Sequence, residues 1–176
     1  MLQYLRTGFR HRWLDESDTR RTIDNGILER LRARVAASET RHTGEIRIYV
    51  EAGLPLGYLW RHVRHRTAMA TLVRERATEM FGALRVWDTE HNNGVLIYLL
   101  LAEREIELVA DRGLNAIVPT QEWQGMVGRM ADAFARGQFE DGLTQALEEV
   151  SVPLVTHFPA GSVPNPNDLP DTPVLG

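Results

Sequence analysis

The sequence predicts an α/β domain, a three-layer α/β/α sandwich with a small mixed sheet between helix layers. Three observations carry that prediction. Apolar residues recur at three- and four-residue spacing in four separate stretches, residues 45–51 alternate with period two, and residues 94–101 are apolar almost throughout. The chain has 176 residues, of which 43% are hydrophobic and 25% charged, so it can bury one core and is not a disordered composition.

Residues 1–23 are polar and unpatterned and are expected to form an N-terminal arm. Asp24-Asn-Gly26 is a turn signal, and Asp24 can cap the helix marked by Ile27, Leu28, Leu31 and Val35 to about residue 40. Thr43-Gly44 stops it. Glu45-Ile-Arg-Ile-Tyr-Val-Glu51 reads as a strand with Ile46, Ile48 and Val50 on one face. After the loop Gly53-Leu-Pro-Leu-Gly57, residues 58–81 read as one helix, with Leu59, Val63, Met69, Leu72, Val73, Met80 and Phe81 as its apolar content and Gly82 as its C-cap. Gly94-Val-Leu-Ile-Tyr-Leu-Leu-Leu101 is apolar on both faces, as a central strand covered on both sides must be. Ala102-Glu103 closes a tight turn into a half-buried strand at 105–110. Pro119 opens a helix carried by Trp123, Met126, Val127, Met130 and Phe134, and Gly137 ends it. Phe139, Leu143, Leu147 and Val150 mark the last helix, bent or ended near Pro153.

From residue 159 on, five of the eight prolines fall in what reads as an extended C-terminal tail over 159–176. The order is α-β-α-β-β-α-α, with one domain over 24–158. The helix between the first two strands makes them parallel with a right-handed crossover, and the second and third form a hairpin.

Composition excludes more than it assigns. Without cysteine there are no disulfides, zinc–thiolate sites, iron–sulfur clusters or thiol nucleophiles. The glycine-rich phosphate loop, the G-x-S-x-G elbow and H-E-x-x-H are all missing. The first ten residues lack a 7–15-residue apolar stretch, and the longest apolar run, 95–102, is far short of the roughly 20 residues a bilayer span needs. The expected location is therefore cytoplasmic, peripheral to the inner membrane if membrane-associated at all.

All 20 basic residues are arginine, and the net charge is −4. It is uneven: residues 1–80 hold 15 arginines against 10 acids, and the remainder 5 against 14. The densest basic stretch is Trp60-Arg-His-Val-Arg-His-Arg66, where Trp60, Arg61, His62, Arg64, His65 and Arg66 follow the apolar Leu54-Pro-Leu. His62 and His65 lie i,i+3, but their arginine neighbours oppose a metal ion, so the segment reads as a face for an anionic partner: an acidic protein or an anionic membrane surface. Nucleic acid is not expected, because the net charge is negative and arginine is not interleaved with aromatics beyond Trp60.

A second place comes from sheet geometry. If Ala102-Glu103 closes the hairpin, paired positions sum to 205 and Gly94 faces Asp111. The parallel first strand begins at the same end with Glu45, and Asp88 and Asn93 lead into it. Glu45, Asp88, Asn93 and Asp111 are thus candidate oxygen ligands for calcium or magnesium.

Three segments taken together carry a resemblance. They are Thr43-Gly-Glu-Ile-Arg-Ile, then Trp87 with Asn92-Asn-Gly-Val-Leu-Ile-Tyr-Leu, then Glu103-Arg with Ile106-Glu-Leu-Val-Ala-Asp-Arg-Gly-Leu114. With Gly137-Gln-Phe-Glu-Asp-Gly142, their order and spacing resemble the TPM-domain family over about residues 24–158. Its members include a thylakoid-lumen acid phosphatase and many bacterial envelope proteins. The resemblance implies a small sheet between helices, and weak acid-phosphatase activity or divalent-metal binding at an acidic cleft. In that reading Arg112 and Arg104 neutralise a phosphomonoester and Asp111 orients water.

This chain departs from the pattern. Typical members have Gly-Tyr-Gly where it has Asp111-Arg112-Gly113, and an acid in Leu-Thr-Asp where Val118-Pro-Thr-Gln121 has none. The expected function is accordingly a non-catalytic or at most weakly phosphatase-active interaction module, with a metal-dependent phosphatase-like hydrolase as the alternative.

Overall fold

The computed structural model describes residues 16–161 and 167–176. Its elements in chain order are α1 (Glu16–Thr22), α2 (Asn25–Glu39), β1 (Ile46–Glu51), α3 (Leu56–His65), α4 (Met69–Ala83), β2 (Val95–Leu100), β3 (Glu105–Ala110), α5 (Arg112–Asn115), α6 (Thr120–Ala135), α7 (Phe139–His157) and β4 (Val174–Leu175). The α/β class and the layered arrangement stand as read from the sequence.

The sheet order is β3-β2-β1-β4. β1 and β2 are parallel with Ile46 opposite Val95, and β2 and β3 are antiparallel with Val95 opposite Ala110. That hairpin register is the one the Ala102-Glu103 turn dictates. Each residue of β2 is fully buried because both of its faces are covered. Ile46, Ile48 and Val50 pack with α2, α6 and α7 on one side. Leu96, Tyr98 and Leu100 pack with Leu59 of α3 and Leu72, Val73 and Ala77 of α4 on the other.

Local signals act as expected at several joints. Asp24 accepts from the Ile27 N–H at 2.8 Å and caps α2. The α6–α7 crossing depends on Gly142, where an added Cβ would lie 2.7 Å from the Phe134 ring. Pro153 sits inside α7, and the helix runs past it to His157.

Four expectations are corrected. The single helix at 58–81 is two, because Arg66 takes a left-handed conformation (φ 55) and the chain turns before α4. A bond between the His62 ring Nδ1 and the Thr67 carbonyl at 2.7 Å spans the break. Helix α4 ends at Ala83, and the left-handed residue that follows its cap is Arg85 (φ 54), not Gly82, which lies inside the helix. The Val86 N–H reaches the Phe81 carbonyl and the Arg85 N–H reaches that of Gly82, which together form a Schellman end. The polar stretch expected as an arm contains α1, whose Thr19 hydroxyl donates to the Gly176 carbonyl at 3.1 Å; residues 1–15 lie outside the described set. The proline-rich tail docks on its own domain: β4 pairs in parallel with Tyr49 and Val50 and adds a fourth strand. Proline excludes a central strand but not this edge position, where two residues suffice.

Candidate functional site

The end of the sheet where β1 and β2 begin and β3 finishes is built by backbone proximity. The Val95 N–H donates to the Glu45 carbonyl at 2.8 Å, and the Asp111 N–H to the Gly94 carbonyl at 2.9 Å. Asp111 then caps α5 through its own following N–H, that of Arg112, at 2.7 Å. Gly113 is required here. Its N–H donates to the Asn92 carbonyl at 2.9 Å, and a Cβ would lie 2.5 Å from that same oxygen. Asn92, left-handed at φ 52, accepts from Arg112 Nε at 2.7 Å. Asn93 is fully buried, and its side-chain N–H donates to Thr43 at 3.2 Å.

Asn93, Asp111 and Arg112 thus meet at this end, and the other candidates do not join them. Glu45 is buried, and its Oε2 accepts the Leu169 N–H of the tail at 3.1 Å. Burial pushes its carboxyl above the usual range. Asp88 is exposed. Among the described residues no three carboxylates or histidines come together in a way that could hold a metal ion. Arg104 donates to the Ala135 carbonyl at 2.6 Å, beside the hairpin turn. The six residues of β3 separate it from Asp111 and Arg112 by about 20 Å, so it cannot share a substrate with them. Two acceptors remain unmet at the sheet end, since Asn93 Oδ1 and Asp111 Oδ2 are buried with no partner among the described residues.

Two further polar groups lie beside this end, His42 fully buried and Glu39 half-buried. His42 is fully buried, and its Nδ1 faces the Gly44 carbonyl at 3.0 Å. A carbonyl only accepts, so Nδ1 carries the proton and Nε2 accepts the Ser38 hydroxyl at 2.9 Å. Burial holds this imidazole down at about 4. The Ser38 hydroxyl also meets that of Ser151. The trio ties α2 to α7, with His42 fully buried behind the two serines. Glu39 accepts the Ile46 N–H at 2.8 Å, and burial first, with Glu45 and Asp171 nearby, pushes its carboxyl up to about 8.

The basic segment is sorted more sharply. Arg61 pairs with Glu75 at 2.6 Å and lies over the Tyr58 ring, so it is already neutralised. His62 is held at the α3–α4 break. Arg64 and Arg66 are exposed and pair with nothing among the described residues. Trp60 lies edge-on to His65, with ring centroids 5.1 Å apart.

Beside these cations, Leu56 is 74% exposed, Trp60 60% and Val63 56%. At i, i+4 and i+7 they form one outward stripe of α3, bordered on one side by the buried Leu59. Val63, expected in the core, faces out. The 56/60/63 spacing was the available signal, but Leu59 borders the same stripe, so the pattern does not show which of these apolar residues turn inward.

A family model for the TPM domain matches residues 17–152. The chain belongs to the TPM-domain family. Its fold is also that of a solved structure, the NMR structure of the BA42 protein from the psychrophilic bacterium Bizionia argentinensis. The two superpose with a TM-score of 0.70 at 24% identity, covering 86% of this chain and 93% of that one. At that identity the likeness speaks for fold alone. No curated protein matches the chain. Within this TPM domain no described helix is long and apolar enough to cross a membrane.

Proposed function

We propose that this TPM domain is a non-catalytic interaction module that docks on an anionic lipid surface through the outer face of α3. The observation that carries the reading is the exposed stripe Leu56–Trp60–Val63 beside the unpaired Arg64 and Arg66. Tryptophan favours the boundary between headgroups and acyl chains, where its ring is buried and its N–H stays wet. Each arginine near an anionic leaflet contributes about 1 kcal/mol. Each apolar side chain adds part of the roughly 1.5–3 kcal/mol that full burial gives. With only three apolar and two cationic residues, the binding is weak and reversible, and it places the domain at the cytoplasmic leaflet as a peripheral protein. Co-sedimentation with phosphatidylserine-containing vesicles tests this. Pelleting with those vesicles and not with neutral ones supports the reading, and equal or no pelleting with both overturns it.

One observation favours a second reading. Asn93 Oδ1 and Asp111 Oδ2 are buried acceptors that a hydrated divalent cation would satisfy, but the adjacent Arg112 guanidinium opposes it and no second carboxylate joins Asp111. Calcium that raises Tm in the native chain but not in Asn93→Ala or Asp111→Ala supports this reading. No shift, or a shift that survives both changes, removes it.

A further inference from the structure

The edge of β1 that faces away from β2 is covered by the tail through few bonds. At the start of the strand, Glu39 of α2 accepts the Ile46 N–H at 2.8 Å, and Arg47 donates through Nη1 to the Thr172 carbonyl at 3.2 Å. Just before the strand, Glu45 accepts the Leu169 N–H at 3.1 Å. At its end the two-residue β4 takes over. The Gly176 N–H donates to the Val50 carbonyl at 2.9 Å, and the Ala52 N–H to the Gly176 carbonyl at 3.2 Å. A segment held by so few backbone bonds belongs to the part of a fold that opens most readily.

Acids crowd this seam. Facing Glu39 are Glu45 and Arg47 from β1 and its lead-in, and Asp171 from the tail; Asp168 of the tail faces Glu45. Arg47 is buried, and its Nη1 is turned to the tail backbone while its Nε has no partner among the described residues. One cation is thus set among four carboxyl groups. The side chains of Glu39 and Asp171 meet as hydrogen-bond partners. Two ionised carboxylates repel at that range, whereas one proton between them makes a hydrogen bond. Asp171 already accepts from the Asn167 side-chain amide at 2.8 Å, so Glu39 is the member that keeps the proton. Burial first, then Glu45 and Asp171, hold it there up to about pH 8. Because Asp168 and Asp171 ride on the tail, losing that proton sets the tail against the domain.

We propose that the tail is a proton-held latch: a proton shared between Glu39 and Asp171 keeps residues 167–176 on β1, and its loss above neutral pH frees them and bares that sheet edge. Opening uncovers the Val50 carbonyl and the Ala52 N–H, which the Gly176 backbone satisfies in the closed state. The latch does not rest on the lipid-docking reading.

The test is amide hydrogen exchange of the full chain at pH 6.5 and 8.5. The rates of the Leu169 and Gly176 N–H groups, divided by the intrinsic rate at each pH, give the opening equilibrium of the tail. The Ile97 N–H of β2 reports on the core. Protection at Leu169 and Gly176 is expected to fall about tenfold between the two pH values while that at Ile97 holds. Glu39→Gln and Asp171→Asn each replace the shared proton with an amide donor that does not titrate, so in both variants the fall disappears. Should Glu39→Gln not fold, Asp171→Asn, which lies in the tail, decides alone. Tail protection that is the same at both pH values overturns the proposal. So does a fall shared equally by Ile97, which is global unfolding, or a fall that persists in Asp171→Asn.

Discussion

The Leu169 backbone N–H donates to Glu45 Oε2 at 3.1 Å, joining the tail to the first residue before β1 across 124 positions of sequence. Arg47 reinforces the join by donating to the Thr172 carbonyl at 3.2 Å, and Leu169 is buried against the α3–α4 side of the sheet. The tail is therefore part of the folded unit. Leu169→Ala is expected to lower stability by about 2 kcal/mol. Removing 167–176 is expected to lower Tm further and to make the sheet edge at β1 protease-sensitive. Denaturant melts and limited proteolysis check both, and a truncated chain as stable as the whole would contradict the tail's role.

Two titratable groups beside the sheet end, the half-buried Glu39 and the buried His42, give stability a pH dependence of opposite sign. Glu39 titrates near 8 in the fold and near 4.5 when exposed, so the folded state holds the extra proton and stability falls as pH climbs between those values. His42 titrates near 4 in the fold and near 6.5 when exposed, so stability is lost as pH falls through that window. The two offset each other between their shared values of 4.5 and 6.5, so Tm measured against pH should fall mainly from 6.5 up to about 8. Glu39→Gln should raise Tm above pH 8 and flatten the alkaline limb, and an unchanged alkaline limb would contradict the assignment.

Packing at the α6–α7 crossing predicts opposite signs for two glycines. Gly142→Ala drives a methyl into the Phe134 ring and should cost about 1–3 kcal/mol. Gly128 lies exposed within α6 with open space around it, so Gly128→Ala should gain about 0.5–1 kcal/mol. Chemical denaturation of both variants measures the contrast.

Sequence made the centre of this fold legible and its margins obscure, for physical reasons. A two-residue turn at Ala102-Glu103 permits one hairpin register, and an eight-residue apolar run permits one location in the sheet, so β2, β3 and the Gly94–Asp111 juxtaposition follow directly. Arg66 and Arg85 in left-handed conformations could not be foreseen, because only tertiary context makes a non-glycine residue adopt them. The β4 pairing and the capture of Glu45 depend on contacts more than 100 residues apart. Local composition is silent about those, so Glu45 read as a free ligand.

The most direct test of the central claim is vesicle binding by matched variants at low and high salt. The native chain should pellet with phosphatidylserine vesicles at low salt and release at high salt, because charges at an exposed surface are screened. Trp60→Ser with Val63→Ser should abolish pelleting without lowering Tm, since both side chains already face solvent. Arg64→Gln with Arg66→Gln should remove the salt dependence along with most of the binding. Pelleting that persists in both double variants, or that ignores salt, would contradict the assignment of α3 as the docking face.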